Sequence, residues 1–102
     1  MKVIWSKKAD DELQRIEKYI SIKFGISSLR SYIQEVDKTS DILAETPEYG
    51  KIDPLFSKHS KTYRSVIIHK LSKLVYYIDG ETIHIAAIWD TRREPKSQAS
   101  KL

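Results

Sequence analysis

Three strand-forming segments in close succession constrain this chain more than any other feature. "TYRSVIIH" (62–69), "KLVYYI" (73–78) and "TIHIAAIW" (82–89) are dense in β-branched and aromatic residues, and Asp79–Gly80 separates the last two. Asp-Gly between apolar runs is a strong hairpin signal and favours a type I′ turn. The three segments therefore read as an antiparallel meander. A two-residue loop at Asp79–Gly80 sets a register: Ile78 opposite Glu81, Tyr77 opposite Thr82, Tyr76 opposite Ile83, Val75 opposite His84. One face then carries Leu74, Tyr76, Ile78, Ile83, Ile85, Ala87 and Trp89 and is nearly all apolar. The other carries Lys73, Val75, Tyr77, Thr82, His84, Ala86, Ile88 and Asp90 and is mixed. An apolar sheet face needs a second layer to cover it.

The N-terminal half supplies that layer. "KVIW" (2–5) reads as a short strand. Ser6 caps a helix whose first turns hold Asp10, Asp11 and Glu12, where the helix dipole favours anions. Ala9, Leu13, Ile16, Ile20 and Phe24 recur at helical spacing, and Gly25 is a good stop. Ser27 or Ser28 caps a second helix, along which Leu29, Tyr32, Ile33, Val36, Ser40 and Leu43 keep the period until Thr46–Pro47. So short a connection makes an antiparallel helical hairpin. The stretch 46–61 then holds two of the three prolines and one of the three glycines, and reads as a long irregular loop. Leu55 and Phe56 are expected to tuck into the core.

A chain of 102 residues argues for one domain, 1–102. Its parts are a strand (2–5), a helical hairpin (6–46), a loop (47–61), a meander (62–90) and a basic tail (91–102). The expected class is α+β: an N-terminal strand, then an antiparallel helical hairpin packed on one face of an antiparallel sheet that ends in the three-stranded meander. The open face of that sheet is left to solvent and the long loop.

Eighteen Lys and Arg against fourteen Asp and Glu give a net charge of +4, and the isoelectric point is near 9.3. This moderate excess suits an acidic partner, whether nucleic acid or acidic protein segment. The absence of cysteine excludes disulfides, thiolate metal sites and a cysteine nucleophile. The glycines are scattered and the histidines lack metal-ligand spacing, so no cofactor or metal is expected. No apolar run approaches membrane-spanning length, and "MKVIWSKKADDEL" lacks a signal-peptide core. The expectation is a cytoplasmic protein with no membrane partner.

"IWDTRREPK" (88–96) ends the last strand with two adjacent guanidinium groups. With Arg64 and Lys73 at other strand ends, Arg92 and Arg93 bring four cations to the rim of the open face. Guanidinium groups grip phosphate bidentately and stabilise a phosphoryl-transfer transition state. The competing reading is strand-end solubility and edge protection. His84 is the natural candidate for proton transfer, since histidine is the side chain most often used for it, against a half-buried structural role. His59 and His69 are weaker candidates. Tyr77 is placed to stack on a base or to cover Val75 and Ile88. Tyr76 and Trp89 are expected in the core, with the turn after Asp90 as a partner for the Trp89 indole N–H. Asp90 is expected to pair with Arg92 or Arg93.

The order strand, helix, helix, long loop, three-stranded meander resembles the RelE/ParE toxins of bacterial type II toxin–antitoxin systems. The resemblance rests on "WSKKADDELQRIEKYI", "YRSVII" and "KLVYYIDGETIHIAAIWDTRRE", and on their spacing. It implies one of two ways of arresting growth. One is metal-independent cleavage of messenger RNA in the ribosomal decoding site. The other is non-enzymatic inhibition of DNA gyrase by protein contact. Either implies neutralisation by a co-expressed antitoxin, expected to be acidic and partly disordered. Carried over by position, Arg64, Lys73 and Arg93 fall on the basic residues of the ribonucleases. His84 joins them as candidate acid or base, with Tyr77 as its alternative, and Lys61, Arg92 and Tyr77 as RNA contacts. Two departures stand out. Lysine replaces arginine at 73, and the tail "EPKSQASKL" lacks the tyrosine of several ribonucleases, which would fall near Ala99. The sequence ranks mRNA cleavage first, gyrase inhibition second and an inactive basic binding domain third.

Overall fold

In the computed structural model the first strand, β1 (Lys2–Trp5), runs straight into the first helix, α1 (Lys7–Phe24). Ser6 makes that junction. Its hydroxyl accepts the Ala9 N–H at 3.0 Å, which satisfies one of the helix's orphan donors. Gly25 ends α1 at φ +92°, a conformation L side chains rarely adopt, and its N–H donates to the Ser21 carbonyl. The second helix, α2 (Ile26–Glu45), starts directly after it with no side-chain cap. Neither Ser27 nor Ser28 takes the expected capping role, because Gly25 alone makes the reversal and both serines fall inside the first turn. The structure describes residues 1–70 and 72–91.

The remaining strands are β2 (Lys51–Ile52), β3 (Arg64–Ile68), β4 (Ser72–Asp79) and β5 (Thr82–Asp90), and the five-stranded sheet has the order β1-β5-β4-β3-β2. The expected α+β layering is present. The sheet is mixed, however: β1 lies parallel to β5, while every other pair is antiparallel. The helices cover one face. Ala9, Ile20, Tyr32, Val36 and Leu43 pack there on Ile68, Leu74, Tyr76, Ile83, Ile85 and Ile88, all buried. Each such aliphatic side chain contributes about 1.5–3 kcal/mol by leaving water. Thr39 rather than Ser40 is the buried polar residue on the α2 stripe, and its hydroxyl returns to the Glu35 carbonyl at 2.8 Å. Phe24, placed on the α1 stripe by spacing, lies at the exposed end of the hairpin instead.

The β4–β5 hairpin departs from the expected register twice. Its loop is Gly80–Glu81, with Asp79 opposite Thr82. Gly80 has φ +61° and Glu81 does not share the positive sign, which fits a type II′ turn rather than I′. The slip moves the pairing by two residues and leaves the faces unchanged. The second departure does change them. Tyr76 pairs with Ile85 but Val75 pairs with Ala87, so Ala86 is an extra residue in β5, a β-bulge. Beyond it Ala87 and Trp89 turn to the open face and Ile88 to the helices, the reverse of strict alternation.

Two side chains from α1 and its cap answer the backbone at this bulge. The Ser6 hydroxyl donates to the Ala86 carbonyl at 3.1 Å, and the buried Glu12 carboxylate accepts the Ile88 N–H at 3.3 Å. On the open face the long loop forms a strap over the diverted residues. Phe56, at the end of a short 3-10 turn (Pro54–Phe56), stacks on Trp89 at 6.0 Å and tilts against Tyr63 at 5.4 Å. Together with Val75 and Ala87 these rings form a second, smaller core. Leu55 and Phe56 do pack inward as expected, but here rather than under the helices. Trp89 Nε1 is buried without a hydrogen-bond partner among the described residues. Its expected partner, the turn after Asp90, continues into residues outside that set.

Candidate functional site

Lys73, the second residue of β4, lies on the open face, as the sequence implies, and reaches into the strap. Its ammonium stands 2.9 Å from Asp53 Oδ2 and 5.4 Å from the Phe56 ring centre. The two side chains are only 16% and 10% exposed. Asp53 also accepts the Leu55 N–H at 3.0 Å, which starts the 3-10 turn. Burial alone would raise its pKa. The hydrogen bond from Lys73, the Leu55 N–H, the Lys73 charge and the Ser65 hydroxyl outweigh that, and hold it below the ordinary value. Asp53 is the neighbour of Lys73 that sequence reasoning missed. The available signal was Asp53–Pro54, a side-chain cap followed by a residue preset for a turn.

Arg64 is not on the rim of the open face. The β3–β4 turn places Ile68 opposite Ser72, so Arg64 falls opposite Tyr76 and shares the helical face with it. A loop one residue different in length would have given the other face. His69 and Lys70 in this turn take φ +59° and +61°. Arg64 Nη1 donates to the carbonyls of Gly50 at 2.8 Å and Glu48 at 3.3 Å. The Tyr76 hydroxyl donates to the Pro47 carbonyl at 2.7 Å and accepts the Gly50 N–H at 2.8 Å. Burial raises the Tyr76 pKa, against the lowering effects of the Gly50 N–H and the Arg64 charge. A Cβ at position 50 would lie 2.7 Å from the Tyr76 ring, so only glycine fits there. Arg64 and Tyr76 thus anchor the start of the strap.

Three predicted site residues do come together. Tyr77 lies directly opposite His84, not diagonal to it, and the rings stack at 4.9 Å with 16° between planes. The Lys61 ammonium stands 4.9 Å from the Tyr77 ring centre, and Tyr63 meets the same ring edge-on at 5.6 Å. Lys61, Arg64 and Tyr77 also line a hollow of about 400 Å³ where β3 begins, with Asp79 in its wall. Lys73 sits four residues from Tyr77 along β4, about 13 Å away at strand spacing. His59 packs its ring against Phe56 and Tyr63, both at 5.8 Å. His69 Nε2 is 3.4 Å from Ser31 Oγ and 3.8 Å from Glu35 Oε2. Arg92 and Arg93, and the expected pairing of Asp90 with them, lie outside the described residues.

Among the described residues no three His, Cys, Asp or Glu side chains are grouped to hold a metal ion, and no helix is long and apolar enough to cross a membrane. The cations are divided: Lys73 is held under the strap, and Arg64 lies on the opposite face, bonded to backbone.

A helical hairpin on one face of a mixed sheet, with β1 parallel to the last strand, is a RelE/ParE-like fold. The same fold occurs in a solved structure described as the chromosomal ParDE TA system from P. aeruginosa. The two are 19% identical, the match covers 88% of this chain and 95% of that one, and the TM-score is 0.71. A family model for the ParE toxin of type II toxin–antitoxin systems, parDE, matches residues 3–95, and the chain belongs to that family. Among curated proteins none matches the sequence.

Proposed function

We propose that this toxin arrests growth without catalysis, by inhibiting DNA gyrase through protein contact, and that a cognate antitoxin neutralises it. This reverses the order in which the sequence ranks the two targets. The observation that carries the reading is the Lys73–Asp53 ion pair at 2.9 Å. A ribonuclease that grips a phosphate through residue 73 needs that cation free. Here a phosphate would have to displace a carboxylate already bonded and mostly buried, and leaving Asp53 buried without its cation would cost several kcal/mol. Arg64 is likewise engaged with two carbonyls, and one face of His84 is covered by Tyr77. Membership of the ParE family supports the same choice.

The ribonuclease reading keeps one asset, the hollow shared by Lys61, Arg64 and Tyr77. A paired assay decides between the two. The purified chain is added to a translating extract, whose messages are mapped for new 5′ ends, and to gyrase acting on relaxed plasmid. Blocked supercoiling with intact message is the expected result. Cleavage within codons beside normal supercoiling would restore the enzyme.

A further inference from the structure

The end of the helical hairpin exposes apolar side chains that the core does not use. Ile22 is 76% exposed, Ile26 66% and Phe24 51%, clustered around the Gly25 reversal. Tyr19 meets Phe24 edge-on at 6.2 Å, which gives the cluster a defined shape. Contiguous exposed apolar side chains on a small soluble protein mark an interaction surface. The charge there has one sign. From residue 18 to residue 34 the sequence contains Lys18, Lys23 and Arg30 and no Asp or Glu. All three are exposed. This tip therefore accounts for +3 of the chain's net +4.

We infer that the hairpin tip is the docking surface for the target, and that its occupant is an apolar-lined groove on a protein with an acidic rim. The inference rests on the protein-contact reading above and names the surface that makes the contact. Charge complementarity selects an acidic partner, because a basic rim with no carboxylate repels a cationic one. The apolar centre selects protein over nucleic acid, whose phosphate backbone offers nothing to cover Ile22, Phe24 and Ile26.

The test uses the full chain with Ile22→Glu and Ile26→Glu together, and Ile67→Glu as comparator. Ile67 is a 56% exposed side chain on β3, in the sheet rather than on the helical hairpin. All the replaced side chains are exposed, so thermal melts should match wild type. The tip variant should need roughly tenfold or more protein to block gyrase supercoiling and to arrest growth on induction, as loss of a central anchor does. Ile67→Glu should behave as wild type in both. Wild-type inhibition should weaken as salt is raised. If the tip variant blocks supercoiling and arrests growth at wild-type levels, the tip is not the docking surface, although the gyrase reading survives. If wild type leaves gyrase untouched, that reading falls and the growth readout alone judges the tip. Lost arrest then keeps the tip with another protein target, and retained arrest rejects it. Flotation of wild type, but not the tip variant, with phosphatidylglycerol vesicles would assign the tip to a lipid surface and overturn the protein partner. Tip-dependent binding to single-stranded RNA would overturn it equally.

Discussion

Asp53 stands where the strap meets the sheet, and its carboxylate stays ionised to lower pH than an unpaired one. The consequence for stability has a definite sign. A carboxyl group whose folded pKa is depressed contributes fully above its unfolded value and loses that contribution as pH falls through the folded one. Urea melts between pH 2 and 7 should therefore show a decline below about pH 4 that Asp53→Asn makes shallower. At neutral pH the same variant should lose about 1–3 kcal/mol, because Lys73 is left mostly buried without its anion. An unchanged acid limb would mean that Lys73 and Asp53 do not hold the strap. Gly50→Ala tests the other anchor. The new methyl group would meet the Tyr76 ring, and a loss of about 1–3 kcal/mol in a denaturant melt is expected. At this scale the sequence was partly legible. Tyr76 as core, and Tyr77 and His84 on a shared open face, follow from alternation and hold. The Lys73–Asp53 pair links residues twenty apart through a loop whose path no periodicity encodes.

At the scale of elements, the bulge at Ala86 decides what the open face looks like. Without it Trp89 would lie under the helices and Phe56 would lose the indole it stacks on. Strict alternation could not reveal it, because "IAAIW" has no polar residue to mark which side faces water. The bulge is also where sheet and helix are stitched together, through Ser6 and Glu12. Ser6→Ala should then cost more than a helix cap alone, about 1–2 kcal/mol for the cap with the stranded Ala86 carbonyl in addition. Equilibrium unfolding of Ser6→Ala beside Ser6→Thr checks this, with threonine expected to recover much of the loss. β1 and the helical hairpin were legible to within a residue or two, since a cap, a glycine and a helical period mark them. The two-residue β2 was not, because it is too short to carry a pattern and owes its form to pairing with Arg64 and Ser65.

Across the whole molecule, charge and apolar exposure are unevenly placed. The sheet's candidate cations are split between its two faces, and those of the described residues nearest a ribonuclease role are engaged internally. The hairpin tip combines exposed isoleucine and phenylalanine with cations and no carboxylate. That asymmetry favours a molecule that binds over one that cleaves. Its charge half was readable in the sequence, where residues 18–34 lack any acid, but its exposure was not. Spacing alone assigns Phe24 to the core stripe, and only the position of the reversal at Gly25 takes it out. The most direct measurement is the linking number of a reporter plasmid in growing cells after the toxin is induced. Progressive loss of negative supercoils, with full-length messages persisting, is the predicted result. Unchanged supercoiling while messages are cut within their codons would contradict the account.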